Sequence, residues 1–425
     1  MVKKKLVVVG AGASGLMAAG KAAVEGADVN LIEKMNQPGK KLGITGKGRC
    51  NITNISGIRD FIEHFGENGK FLRQAFSFFF NTELIDFFSE LGVPSVSERG
   101  GRVFPATNNA ADIVTALTGW NKKSGVLINT SVKAGKLIIE NNRVKGLMAT
   151  SSREKSRQKH TIEKIIEADA VIIATGGASY PGTGSTGDGY ILAESAGHHI
   201  TPVRPALVPI ETEGDVATRL EGLSLKNINV SVWINDRKLT EKFGEMIFTG
   251  TGLSGPVILT LSKICVDAIN SGNRVMLSID LKPALDHKAL DQRLIRDIGN
   301  SSAKSVKNML KGLLPERLVT ICAEEVNLDP DKKANQLTSS ERKKLRLWLK
   351  DFRFEASGYR PLNEAIITAG GVDIKQIDPR TMESRIIKGL YFAGEVIDVD
   401  ADTGGYNLQA AFSTGWLAGK SAAAG

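Results

Sequence analysis

Cysteine is scarce in this chain, with only Cys50, Cys265 and Cys322 among 425 residues. Their wide separation excludes a disulfide framework and a Cys-x-x-Cys redox pair alike. Histidine is nearly as scarce, at five residues, and no pair or triad of His, Cys, Asp or Glu has metal-ligand spacing. No apolar run reaches the roughly 18 residues of a membrane span. Internal repeats, zinc-finger spacing and RNA-recognition signatures are also missing. Neither a membrane nor a nucleic acid is therefore an expected partner.

What is present is an ordinary globular composition, 42% hydrophobic and 24% charged. The length predicts two or three domains. A formal charge of +9 favours anionic ligands without naming one. The basic run "SSERKKLRLWLKDF" at 339–352 has helical spacing and reads as a solvated amphipathic helix. The start "MVKKKLVVVGAGASGLMAA" has the composition of a secretory leader. Its glycines, however, fall where a strand-turn-helix needs them, and cleavage would destroy that unit. The expectation is a cytoplasmic protein.

The unit is a dinucleotide fingerprint. "KKKLVVVG" reads as a buried strand, "SGLMAAGKAAVEG" as a helix and "ADVNLIEK" as a second buried strand. In "GAGASG", Gly10 permits the tight turn, Gly12 lets the backbone approach a pyrophosphate and Gly15 lets helix pack on strand. The helix N-terminus offers N–H groups and a positive dipole end to the phosphates. Glu33 ends the second strand, 23 residues after Gly10. Its carboxylate suits a ribose diol and repels a 2′-phosphate, which disfavours NADP here. The next segment, "PGKKLGITGKGRCNITN" at 38–54, is long and polar for a plain NAD domain. It suits the ribitol and pyrophosphate of a longer cofactor, with Arg49, Asn51, Thr53 and Asn54 as a ligand-like set. A solvated loop is the plainer alternative.

"KKLGITGKGRCNITN" and "GLYFAGEVIDVDADTGGYNLQAAFSTG" at 389–415 together resemble the BaiN-like family of bacterial NAD(P)/FAD-dependent oxidoreductases, also described as aminoacetone-oxidase-like. The resemblance implies an α/β fold, with non-covalent FAD in a Rossmann-like domain split in sequence by an inserted domain. By motif it assigns Gly10, Gly12, Gly15, Glu33 and Lys34 to the AMP half. Lys41, Arg49, Cys50, Asn51 and Thr53 then line the middle of the cofactor, and the Val132 backbone meets adenine. Thr175, Gly176 and Gly177 form the strand-end "ATGG" element, and Gly394 and Glu395 form the "AGE" element. Asn407, Leu408 and Gln409 open a helix under the isoalloxazine, where a positive helix end suits the charge of reduced flavin.

These positions predict a first FAD-domain segment at 1–196, an inserted substrate domain at 197–354 and a last FAD-domain segment at 355–425. The insert reads as β-rich over 197–281 and helical over 282–354, and "SSREKSRQKHTIEK" at 151–164 as a charged hairpin or loop. Two further G-x-G-x-x-G matches occur. "GTGSTG" at 182–187 reads as a loop feeding a helix near the cofactor. Gly250, Gly252 and Gly255 in "IFTGTGLSGPVI" lie between two predicted strands, but the acid, Asp280, comes 30 residues on rather than roughly 20. Relatives of the family usually carry histidine in place of Gly250, so the pattern reads as coincidence.

No catalytic residue is assigned. Cys50, lacking a partner, reads as structural or as a cofactor contact. His198 and His199 suit a helix end, Arg102 suits a loop anchor or an anionic substrate, and Tyr180 and Tyr406 are candidate proton donors. The expected reaction passes a hydride from transiently bound NAD(P)H through FAD to an unsaturated or carbonyl-containing small molecule. An FAD-dependent amine oxidase using oxygen, and a flavin-binding redox sensor without turnover, are the alternatives.

Overall fold

The run KLVVV forms the central strand β1 (Lys5–Val9), buried at every position after the first. Such a continuous apolar run marks a strand covered on both faces. The computed structural model describes residues 3–155 and 158–424. After β1 come helix α1 (Ala13–Val24), β2 (Asp28–Glu33) and the helical segment α2 (Lys40–Gly48), which is broken by non-helical backbone at Thr45, Gly46 and Lys47. Strands β3 (Leu127–Thr130), β4 (Ala170–Ile173) and β5 (Leu390–Phe392) complete a parallel sheet, and helix α3 (Tyr406–Ala424) closes the chain. The order is β5-β4-β1-β2-β3. Chain order reverses at β1, and ligands of open α/β sheets bind outside the carboxyl ends of the strands at such a point. This is the Rossmann-type fold expected from the fingerprint.

Two compact units result, residues 1–205 with 362–425, and residues 206–361. Strand Ile200–Ala206 pairs with Ile367–Val372, which keeps most of it with the first unit. The 151–164 stretch lies in a three-stranded antiparallel sheet, with paired strands reaching Lys155 and Gln158. The two residues between them fall outside the described residues.

The second unit is a closed six-stranded barrel. Around it run Ile210–Thr212, Gly252–Ser254, Arg237–Thr249, Ser224–Ile234, Val275–Asp280 and Phe352–Tyr359. The last strand follows the helical stretch and closes the barrel by pairing with Val275–Asp280 and Ile210–Thr212. Val230, Val232, Phe248, Leu253, Leu277 and Phe352 belong to its buried core.

His198 serves packing. Its Nδ1 lies 3.2 Å from the Ala193 carbonyl oxygen of the preceding helix, and its Nε2 lies 2.8 Å from Ser384 Oγ. Burial holds its protonation below the ordinary value of 6.5, so the unfolded chain takes up the proton first. Its contribution to stability is therefore complete above about pH 6.5 and is lost as the pH falls below that value. Thermal melts between pH 7.5 and pH 5 (on the order of two units, spanning the usual histidine range) test this. Wild type should lose more melting temperature across that span than His198→Asn.

Candidate cofactor site

The three fingerprint glycines divide their labour in the structure. Gly10 adopts φ +99°, a region open mainly to glycine, and turns the chain out of β1. A Cβ at Gly15 would lie 1.8 Å from the Gly10 carbonyl oxygen, so α1 sits directly against the turn. Gly12 differs. Its φ of −83° is ordinary, and a Cβ there would meet nothing within 4 Å. The space beside Gly12 at the mouth of α1 is thus open.

Glu33 at the end of β2 accepts hydrogen bonds of 2.8 Å from the N–H groups of Ala11 and Met35. The carboxylate stitches two strand ends together and retains lone pairs for a ribose. Lys34 Nζ contacts Thr186 and lies 2.7 Å from Asp188 Oδ2. Burial opposes ionisation of Asp188, but the hydrogen bond and charge of Lys34, with Lys133 and Thr186, hold it below the usual carboxylate range. A Cβ at Gly184 would lie 2.9 Å from Met35 Cγ, so the 182–187 loop packs beside the end of β2 and feeds helix Asp188–Ser195. Ser131 donates to the Met35 carbonyl at 2.9 Å, bringing Val132 to the same edge.

The ends of β4 and β5 meet at a second cluster. Lys41 Nζ lies 2.7 Å from Glu395 Oε2 and donates to Ser179 Oγ at 2.7 Å. Glu395 Oε1 accepts from the Thr368 N–H at 2.8 Å and from Ser179 Oγ at 3.1 Å. A Cβ at Gly177 would lie 2.4 Å from Thr368 Oγ1, and one at Gly394 2.4 Å from Ser14 Oγ. Thr175 and Gly176 lie between β4 and this cluster. Ser14, Ser179 and Thr368 were not foreseen, and no local sequence signal marks them. Their role appears only when segments almost 200 residues apart meet.

Helix α3 runs parallel to α1. Glycines at 415 and 419 would place a Cβ 2.4 Å and 2.3 Å from the carbonyl oxygens of Ser14 and Ala18. The α3 N-terminus lies 415 − 406 = 9 residues before the first of these contacts, which is about 13 Å at 1.5 Å per residue. Two helix N-termini therefore point the same way, staggered by that distance along the shared helix direction. Beside the second, a Cβ at Gly405 would lie 2.3 Å from the Thr53 carbonyl oxygen and 2.9 Å from Asn51 Oδ1. The side chain of Asn407 caps residues 401 and 402, and that of Gln409 is buried against the Phe79 carbonyl and Ser413. Asn407 and Leu408 thus offer a ligand the backbone of a helix start, whereas the Gln409 N–H already donates to the Gly405 carbonyl at 3.1 Å.

Arg49 and Cys50 have other occupations. The Arg49 guanidinium contacts Glu98, donates from Nε to Asn108 Oδ1 at 2.8 Å and lies 4.1 Å over the Phe104 ring. Arg102 approaches Glu98 at 3.7 Å. Cys50 is fully buried, and burial pushes its thiol up to about 12, so it is no nucleophile near neutral pH. Tyr180 starts a turn with φ +54°. Tyr406 is buried at the start of α3, its ring stacked on His64. Among the described residues no group of three or more His, Cys, Asp or Glu can hold a metal ion. No helix among them is long and apolar enough to cross a membrane.

The Gly250-Gly252-Gly255 pattern is not a second nucleotide turn. Gly252 begins a barrel strand paired antiparallel on both sides, and its Cβ would lie 2.2 Å from the Ile210 carbonyl oxygen. The strand ending at Asp280 pairs antiparallel with Ser224–Ile234, whereas the fingerprint requires parallel strands. Gly252→Ala is expected to destabilise the protein by on the order of 1–3 kcal/mol through overpacking, leaving FAD affinity unchanged. Urea unfolding and FAD titration check the two halves.

A family model described as HI0933-like protein Rossmann domain matches residues 4–421. The chain is 30% identical over 421 residues to the 3-dehydro-bile acid delta(4,6)-reductase of Clostridium scindens, covering 99% of each. It is also 30% identical to the ribosomal RNA dihydrouridine synthase of Escherichia coli, covering 96% of each. Among solved structures, 3-ketosteroid delta1-dehydrogenase from Sterolibacterium denitrificans shares the fold, with a TM-score of 0.53 at 14% identity over all of both chains.

Proposed function

Because this chain belongs to the HI0933-like Rossmann-domain family and is an FAD-dependent oxidoreductase, we propose that it reduces a carbon–carbon double bond conjugated to a carbonyl, drawing electrons from NADH or NADPH. The observation that carries this reading is equal likeness, 30% identity over nearly the whole chain, to two enzymes named for such reductions. A 3-oxo-4,6-diene steroid and a uracil ring differ in size and shape. In both, the double bond is conjugated to a carbonyl that can take up charge when hydride adds at its far end.

Bound FAD supplies the two-electron chemistry, accepting a hydride and passing it on. The residues of this chain hold and orient it. In this reading Gly10, Gly12 and Gly15 shape the pyrophosphate cradle, Glu33 binds the ribose, and Lys34 and Val132 flank the adenosine. Lys41, Thr175, Gly176, Gly177, Gly394 and Glu395 line the middle, beside the loop carrying Arg49, Cys50, Asn51 and Thr53. The backbone N–H groups of Asn407 and Leu408 at the start of α3, with Gln409 one residue further along the same turn, would favour the negative charge of a reduced ring held there.

The substrate in this reading is a free small molecule, in keeping with a sequence that carries no RNA-recognition signature. The experiment is anaerobic. Protein reduced with NADH or NADPH is mixed separately with a 3-oxo-4,6-diene bile acid, a 3-oxo-4-ene steroid and a ribosomal RNA transcript. Reoxidation by a steroid, with a product heavier by two hydrogens, supports the proposal. Reaction with RNA alone moves the substrate to the nucleic acid class, against the expectation from composition. Reoxidation only by oxygen, after reduction by an amine, replaces the reductase with an oxidase.

A further inference from the structure

Saturating a double bond takes a proton as well as a hydride, and the cofactor-holding residues named in the proposed function are given no such role. We propose that His64 is that proton donor, held by Asp402 and seated on Tyr406 at the N-terminal end of α3. The assignment rests on the conjugated-double-bond reading and extends it.

Three titratable residues from two distant segments meet here. His64 follows the helix Ile58–Glu63, while Asp402 and Tyr406 bracket the turn into α3. His64 Nδ1 lies 3.1 Å from Asp402 Oδ2, across 338 residues of sequence. The backbone repeats the link, the Asp402 N–H donating to the His64 carbonyl at 3.4 Å. The imidazole stacks on the Tyr406 ring with centroids 3.8 Å apart and planes 20° apart. Tyr406 is itself 6% exposed and packs edge-on against Phe61 at 4.7 Å. The floor under the imidazole is therefore rigid.

The chemistry follows from this seating. The Asp402 carboxylate accepts from Nδ1–H, so Nε2 is the nitrogen that gains and loses a proton. Among the described residues the structure shows no hydrogen bond to Nε2. The His64 side chain is 32% exposed, which lets it exchange protons with solvent. Tyr406 is a poorer donor. Burial pushes its phenol up, and the carboxylates of Asp402 and Asp60 add to the shift. Those two acids are the charged groups that face the cluster from the turn before α3 and from the helix Ile58–Glu63.

The position is also apt. The start of α3 lies about 13 Å beyond the mouth of α1, nine helical residues further on, at the end of the cofactor line where the reacting ring belongs in the proposed reading. In the step, hydride from the reduced enzyme forms a C–H bond β to the carbonyl. The double-bond electrons shift toward the carbonyl oxygen, and Nε2–H of the imidazolium then protonates the α-carbon. The C=C π bond, the bond that held the hydride on the reduced enzyme and one imidazolium N–H bond break, two C–H bonds form, the hydride donor is left oxidised, and solvent returns the proton to His64. The two electrons come from the reduced nicotinamide.

The test uses wild-type holoprotein, His64→Gln, His64→Ala and Asp402→Asn. Each is reduced anaerobically with the nicotinamide that serves wild type, then mixed with a 3-oxo-4-ene steroid in a stopped-flow spectrometer. His64→Gln should slow reoxidation about 100-fold, within the usual range for a lost general acid, and flatten its pH profile. Added imidazole should restore His64→Ala in part, and Asp402→Asn should fall about tenfold. FAD affinity and midpoint potential should stay within twofold and about 10 mV of wild type, a small shift on the two-electron scale. Reoxidation of His64→Gln at the wild-type rate overturns the proposal. So does a slow variant that also loses FAD and gains nothing from imidazole, because that is a structural defect. If reduced wild type itself reacts with no conjugated acceptor, the substrate reading falls and takes the proposal with it; the unsubstituted protein reports that outcome separately.

Discussion

Gly12→Val is expected to leave the apoprotein folded and to weaken FAD binding at least 100-fold, about 2.7 kcal/mol. The backbone at Gly12 has φ −83° and ψ −165°, which valine adopts without strain. A Cβ there meets no protein atom within 4 Å, so apoprotein stability should change by no more than about 0.5 kcal/mol. Only a ligand at the mouth of α1 would collide with the new side chain. Gly15→Val should behave in the opposite way, since its Cβ would overlap the Gly10 carbonyl oxygen at 1.8 Å, and it should yield little folded protein. Calorimetric FAD titration of the two variants, with melts of the apoproteins, separates the roles. Normal FAD binding by Gly12→Val would place the cofactor elsewhere.

Glu395→Ala should cost about 2–3 kcal/mol of apoprotein stability, near the lower end for breaking a buried pair, because its side chain is 22% exposed. The loss strands more than Lys41. Glu395 also receives the Thr368 N–H at 2.8 Å and Ser179 Oγ at 3.1 Å, and buried donors left without acceptors are costly. Lys41→Met should cost less, since Glu395 keeps those two donors. In the double variant the costs should not add, because the residues share one network. Denaturant unfolding of the four proteins gives the coupling. Strict additivity would show that the pair contributes nothing jointly.

Local elements were legible where one rule governed them. The fingerprint strand, turn and helix at residues 5–33 follow from burial and glycine geometry, and both appear as expected. The basic run became helix Ser339–Lys350, capped by Thr338 and Glu341, with Leu345, Trp348 and Leu349 buried. The two strands flanking the third glycine pattern were legible too. Their pairing was not, because the partner of Val275–Asp280 is a strand some 40 residues earlier, and spacing carries no such information. The return of Phe352–Tyr359 to close the barrel was hidden for the same reason.

The site shows the same division. Gly10, Gly12, Gly15 and Glu33 could be proposed from sequence because the strand-turn-helix that carries them is local. Lys41 and Glu395 were named by motif, yet their ion pair across 354 residues could not be read from either segment alone. His64 carried no signal at all. A lone histidine after a short helix is unremarkable until the fold brings Asp402 and Tyr406 to it.

The most direct measurement is an anaerobic visible spectrum of the purified protein, taken before and after NADH or NADPH and then after a 3-oxo-4-ene steroid. The account predicts an oxidised flavin band near about 450 nm, bleached by one of the nucleotides and restored by the steroid without oxygen. A band that neither nucleotide bleaches would contradict the reductase, and a protein that neither carries nor takes up FAD would contradict the site itself.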